Sequence, residues 1–252
     1  MPPRFGTLDL AKFAKQAGNI TGYKTEPLTL KGVQILELHM EIDDDPADAL
    51  LPKTMHPAIP EYAIFNVVHA PNSEWGPFTI AEVRVAGRTG VRPRGFVLRS
   101  YIDNDEAAKA LSSRWGFPVA KGEVSLRVLH DRVVGRVKLG GKTVYEIEEQ
   151  DRDSIGGGDI QYIASMHLAR NKADDKLVLV QVDPEYVFTK AERGKPRVVA
   201  LDPEAFGATR TTLNVMNPIS ACFTTADMTL PKVRYICNPE LPALQGTTKV
   251  AA

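Results

Sequence analysis

The chain has 252 residues, 43% of them hydrophobic and 25% charged, and its 31 basic and 31 acidic side chains cancel. A chain of this length buries a sizeable core without disulfides or metals, and its balanced charge argues against an electrostatic footprint for nucleic acid or an anionic membrane surface. No apolar run approaches the ~18 residues of a membrane span, and the opening MPPRFGTLDL lacks the basic-then-apolar secretory pattern. The two cysteines, Cys222 and Cys237, have no metal spacing; they read as free thiols in a reducing compartment or as a pair that sequence cannot assign. The expectation is a cytoplasmic protein with one domain over 1–252, of which 240–252 form a loose polar tail.

In chain order, residues 7–17 place Leu8, Leu10, Phe13 and Ala14 near one face of a helix that Gly18 and Gly22 end. Residues 33–42 alternate as a strand, with Val33, Ile35 and Glu37 on one side and Gln34, Leu36, Leu38 and Met40 on the other. Asp43-Asp44-Asp45-Pro46 starts a short helix with Asp at its cap and Pro in its first turn, and Leu50-Leu51-Pro52 stops it. Residues 62–70, 79–86 and 96–102 are rich in Val, Ile and aromatics and read as strands. Between the last two, 87–95 form a hairpin loop whose arginines, with Arg84, make a solvated basic patch too sparse for nucleic acid. Asp103 lies three residues before Glu106, the spacing of a capping box, and predicts a helix over 104–113. Strands follow at 124–130, 132–139 and 143–149, turning at Asp131-Arg132 and Gly140-Gly141. Gly156–Gly158 is a flexible connection, 159–170 is helical or extended, and 177–182, 197–201 and 232–237 are late strands. Period-two runs separated by turns indicate a β-rich α+β fold, a curved and mostly antiparallel sheet with peripheral helices.

Few residues stand out as chemistry. There is no G-x-S-x-G elbow, no P-loop and no strand followed by G-x-G-x-x-G. The five histidines, His39, His56, His69, His130 and His167, are scattered and read as surface or satisfied core groups, so no metal and no cofactor is expected. Glu146, Glu148 and Glu149 form a carboxylate cluster that an exposed sheet edge explains.

The most specific stretch is YIDNDEAAKALSSRWGFPVAKGE at 101–123. Its Tyr101, Asp103, Asn104, Trp115, Gly116, Phe117 and Pro118 resemble the signature of the acetoacetate decarboxylase family, a strand ending in Y-x-D-N and a helix closing with W-G-F-P before two lysines. PLTLKGVQILELHMEID at 27–43, DPADALLP at 45–52, AIFNVVHAP at 63–71 and GPFTIAEVRV at 76–85 are similar to the family's preceding segments, and PKVRYICNP to its close. The resemblance implies an acetoacetate-decarboxylase-like fold, a curved sheet or barrel around a central pocket, and a homo-oligomer. It places the Schiff-base lysine on Val119 and its neighbouring lysine on Ala120, the acids on Ile80 and Asn66, the arginine on Thr29 and an apolar pocket residue on Ser100.

Valine cannot form an iminium, so that route to decarboxylation is closed at Val119. Thr29, Asn66, Ile80, Ser100 and Val119 are expected to line one uncharged cavity suited to a neutral small molecule. Lys121 and Glu82 each lie two residues further along a strand and share the face of the lost pair, which makes them the candidate catalytic residues. Three readings follow. The first is a lysine-independent lyase, hydratase or isomerase acting on a small keto or polyketide-like compound. The second is a non-catalytic small-molecule binder, and the third a true decarboxylase using Lys121. A carboxylate or histidine in the pocket favours the first and a wholly apolar lining the second; fold alone does not choose.

Overall fold

The computed structural model describes residues 4–251, except the side chains of Asp44 and Asp45. The expectations for residues 1–3 and 252 and for those two side chains lie outside the described residues. In chain order the strands are β1 (Gly18–Ile20), β2 (Leu28–Ile42), β3 (His56–Pro57), β4 (Tyr62–Ala70), β5 (Phe78–Thr89), β6 (Arg92–Ile102), β7 (Val119–Lys121) and β8 (Glu123–Val128). There follow β9 (Arg132–Leu139), β10 (Lys142–Ser154), β11 (Ala164–Asn171), β12 (Leu177–Val182), β13 (Glu185–Leu201), β14 (Val215–Leu230), β15 (Tyr235–Cys237) and β16 (Thr247–Lys249). All join one sheet with the order β16-β15-β12-β11-β6-β5-β4-β2-β14-β13-β10-β9-β8, and β1, β3 and β7 attach at β11, β5 and β6. Most pairs are antiparallel; β1–β11, β6–β11 and β6–β7 are parallel. The path is open at both ends, so the expected curved sheet is present and the barrel closure is not.

Both faces of the central strands β2, β4, β5 and β6 are buried. Leu36, Leu38, Phe65, Val67, Ala81 and Val83 pack into one apolar cluster; Ile35, Val68, Ile80 and Ile102 pack into a second on the opposite face. Two covered faces explain why these strands read as nearly continuous apolar runs.

The helix Asp105–Trp115 covers the second cluster with Ala107, Leu111 and Trp115, spaced four apart on one face. Its N-cap is Asn104, whose side chain accepts from the N–H groups of Glu106 and Ala107. Asp103 instead accepts from the Thr79 N–H at 2.7 Å, tying β5 to the helix entrance, so the expected capping box is replaced by a one-sided cap at Asn104. Gly116 closes the helix at φ 69°, where an L side chain is strained; an added Cβ would also meet the Ala169 Cβ at 2.7 Å.

Several local expectations give way to tertiary structure. The 7–17 helix shrinks to Leu10–Phe13 and one 3-10 turn, because the chain from Gly18 is drawn into parallel pairing with β11. At Asp43–Asp48 the helix Asp44–Ala47 forms, but its N-cap Asp43 makes no side-chain capping bond. The 87–95 loop is a tight turn at Gly90 and Val91 between long strands, and Arg84 is not part of a solvated patch: only 12% of its side chain is exposed. Strand β10 is internal, between β9 and β13, so Glu146, Glu148 and Glu149 do not lie on an edge. Glu146 pairs with Arg136 at 2.6 Å, and Glu148 and Glu149 are buried. Gly157–Asp159 is a 3-10 turn, 159–170 resolves into β11, and the late 232–237 strand is confined to Tyr235–Cys237. The polar tail is ordered around a short helix, Ala243–Gly246, and β16 pairs with β15. Both cysteines are free thiols.

Candidate functional site

Register across the sheet assembles the site. Arg193 on β13 pairs with Cys222 on β14, and Cys222 with Glu37 on β2. Glu37 pairs with Asn66 on β4, Asn66 with Glu82 on β5, Glu82 with Ser100 on β6, and Ser100 with Val119 on β7. Directly opposed residues project from the same face, so one row of side chains crosses seven strands. The neighbouring row, Ile35, Val68, Ile80 and Ile102, is wholly apolar. On the other side Arg84 stands two residues beyond Glu82 and therefore on its face.

The centre of the row is charged. Glu82 accepts from the Ser100 hydroxyl at 2.9 Å and from Arg84 Nε at 2.8 Å. A second Arg84 nitrogen lies 2.7 Å from Glu82, and a third faces Glu37 at 3.8 Å. Glu37 accepts from the Asn66 amide at 2.9 Å and is 3.0 Å from His39 Nε2. Burial alone would raise the Glu37 pKa, but His39, Arg84 and Asn66 together hold it below the usual carboxylate range. Burial likewise works against the Arg84 charge, and Glu82 and Glu37 outweigh it, so the guanidinium is held protonated more firmly than in water. The sequence-based expectation of an uncharged pocket is thereby corrected. Charge persists because each buried ion has a partner within the row and its flank, which offsets desolvation.

Two cavities flank this network. The first, about 40 Å³, is lined on its polar side by Asn66, Glu82, Arg84, Ser165 and Tyr186. Leu30, Val68, Phe78, Ile80, Leu111, Phe117, Pro184, Met228 and Leu230 complete it with apolar surface; no lysine is among the lining residues. The second, about 200 Å³, lies against Glu37, His39, Tyr162, Arg193 and Cys222; Glu37 lines this cavity and reaches the first only through its contacts with Asn66 and Arg84. Behind the first cavity, His167 donates from Nδ1 to the Trp115 carbonyl at 3.0 Å and accepts the Ser165 hydroxyl at Nε2 at 2.8 Å. Burial pushes His167 down to about 4, so it is neutral near pH 7. Burial, and then the carboxylates, keep the Tyr186 phenol protonated.

The structure brings some expected site residues together and not others. Asn66, Ile80 and Glu82 line the first cavity. Ser100 is fully buried behind it, holding Glu82. Val119 is half-buried at the end of the row beside Ser100 and is not among the lining residues. Thr29 lies outside, its hydroxyl 2.9 Å from that of Thr229. Lys121 also lies outside, with 74% of its side chain exposed and Nζ 2.7 Å from Asp105. Sequence reasoning missed Glu37, Arg84, Ser165 and Tyr186 as site residues. The available signal was a glutamate inside the apolar run of β2 and an Arg-x-Glu spacing read backwards on β5.

Together these features define a β-rich protein whose curved sheet carries a small cavity, mostly apolar, with a charged pair on one wall. Over residues 15–237 the chain matches the family model of acetoacetate decarboxylase, and it belongs to that family. The acetoacetate decarboxylase of Legionella pneumophila is similar in structure, with a TM-score of 0.71 and 20% identity over 84% of this chain and 88% of that one. The enduracididine biosynthesis enzyme MppR, in a structure with pyruvate, gives a TM-score of 0.67 and 15% identity over 83% and 90% of the chains. An acetoacetate decarboxylase-like enzyme from Sphingomonas wittichii RW1 gives 0.64 and 15% over 82% and 92%. At these identities the likeness establishes the fold. No curated protein matches the chain in sequence.

Proposed function

We propose that this protein is an enzyme that works without a Schiff-base lysine on a small keto or polyketide-like compound, by lyase, hydratase or isomerase chemistry. The observation that carries this reading is Glu82, a carboxylate on the wall of a cavity whose lining contains no lysine. Glu82 takes a proton from the carbon beside a substrate carbonyl. Tyr186, a neutral donor, holds the oxygen of the resulting enolate. Return of the proton to a different carbon isomerises the substrate; its delivery from Glu82 to a β-hydroxyl, which leaves as water as the enolate electrons form the new C=C bond, dehydrates it. Arg84 and Ser100 fix Glu82 in place from behind. Homo-oligomeric assembly and a cytoplasmic location belong to the same reading, the first supported by family membership and the second by the two free thiols. No helix among the described residues is long and apolar enough to cross a membrane.

The test is hydrogen–deuterium exchange of acetone and 2-butanone in D2O, followed by proton NMR. The protein is expected to accelerate exchange at least about 100-fold over buffer, and Glu82→Gln to return it to the buffer rate. Borohydride with acetoacetate is expected to give no adduct by intact mass. Ligand binding without exchange would leave a non-catalytic binder. A stoichiometric reduced adduct that disappears in Lys121→Ala would restore the decarboxylase.

A further inference from the structure

We infer that the first cavity selects an uncharged ligand carrying both a carbonyl and a hydrogen-bond donor, a hydroxyketone or an enolised diketone, and rejects keto acids that present a carboxylate. The inference deepens the function proposed above and rests on that cavity being the binding site.

The charge of the wall is the first argument. Two carboxylates, Glu82 and Glu37, face a single guanidinium, Arg84. Recognition of a ligand carboxylate by arginine uses two parallel N–H groups. Here Arg84 Nε and a terminal nitrogen are already engaged by Glu82, at 2.8 and 2.7 Å, and the other terminal nitrogen points toward Glu37. No lysine or histidine lines the cavity to supply a second cation. His167, one layer behind Ser165, is fully buried and neutral. Among the lining residues Glu82 and Arg84 cancel, so an anion entering this space finds no unengaged cation to offset the loss of its water.

The second argument is Asn66, a buried residue with 2% of its surface exposed. Glu37 is a carboxylate and only accepts, so the Asn66 amide nitrogen must face it, as it does at 2.9 Å. That contact fixes the flip of the amide. Its oxygen is left buried and without a hydrogen-bond partner, on a residue that lines the cavity. A buried acceptor of this kind is satisfied by an O–H or N–H group from a ligand or water. A carboxylate offers neither. An enol or alcohol hydroxyl offers the donor, while the Tyr186 phenol, itself neutral, supplies the donor for the ligand's carbonyl.

The experiment uses the full chain and two matched pairs of probes, titrated by calorimetry near neutral pH. Acetylacetone and acetoacetate differ in a methyl against a carboxylate oxygen; 4-hydroxy-2-butanone and 2-butanone differ in one hydroxyl. Acetylacetone is expected to bind at least about tenfold tighter than acetoacetate, and the hydroxyketone tighter than the plain ketone. Glu82→Gln keeps the shape of the wall and removes one negative charge, so it is expected to shrink the first preference. Acetoacetate binding as well as acetylacetone, or no millimolar binding of any probe to the wild-type protein, overturns the inference. The preference without deuterium exchange sustains it and removes the enzyme; exchange without the preference does the reverse.

Discussion

The segment 101–123 and the cross-strand row from Glu37 to Ser100 stand in contrast. The first carries nearly all the visible family signature, yet it gives the first cavity only the apolar Leu111 and Phe117, and its other named side chains act as scaffolding. Trp115 is fully buried and donates to the Pro231 carbonyl at 2.7 Å; Gly116 makes the left-handed turn; Phe117 packs against the His167 ring at 4.0 Å between centroids, tilted by 56°. The second shows no motif in sequence, yet it holds two buried carboxylates, Glu37 and Glu82, against Arg84. The difference teaches that a signature can outlast the lysine it frames. Trp-Gly-Phe-Pro is held by packing and turn geometry, which do not depend on the chemistry at Val119.

Breaking each region separately sharpens the contrast. Arg84→Met strands Glu82 and Glu37 without their guanidinium and is expected to cost about 3–5 kcal/mol; Trp115→Ala is expected to cost a similar ~3–5 kcal/mol by leaving a cavity. Denaturant unfolding gives both values. Ligand titration then separates them: Arg84→Met is expected to sharpen the preference for uncharged ligands, whereas Trp115→Ala leaves it unchanged in the folded fraction.

A smaller effect links the two regions through His167, which joins Trp115 to Ser165. Its folded pKa, about 4, lies below the ordinary 6.5. Between those values the unfolded chain binds a proton that the folded chain refuses, so stability falls as pH drops through this window. The total is about 3 kcal/mol, and it is complete near the folded pKa. Unfolding titrations from neutral pH to mild acid are expected to show this slope. His167→Gln, which can still donate to Trp115 and accept from Ser165, is expected to lose it. The smallest effect belongs to Lys121→Ala. An exposed ion pair with Asp105 is worth under about 0.5 kcal/mol, and neither stability nor deuterium exchange is expected to move.

The legibility of the chain divides along the same line. Strand β4 and the helix after Asn104 were readable because a run rich in Val, Ile and aromatics, the cap and Trp-Gly-Phe-Pro are local. Strand β14 was not: VMNPISACFTTADMTL interrupts its period with Pro218 and small residues, and pairing with β2 and β13 makes it a strand. Most of β13 was missed because AERGKPR is polar on both faces and half-exposed. Among the site residues, Asn66, Ile80 and Glu82 were named from the family frame. Arg84 was misread because an arginine in a strand says nothing about which face a distant element will cover. Glu37 was placed correctly on the face of Ile35, but only the register of three strands brings it to Asn66 and Arg84.

That register has a consequence for how the molecule comes to exist. Glu37 sits on β2, near the start of the chain, and one neighbour in the sheet is β14, near its end; Thr29 and Thr229 touch across 200 residues. Contacts of such sequence separation make folding slow and place their formation late. During synthesis the glutamates and the arginine emerge long before the strand that completes the wall, and until then they remain in water. The interior of this protein is therefore sealed only after β14 has emerged, and a nascent chain halted before β14 exposes the apolar faces of β2 and β4 to aggregation.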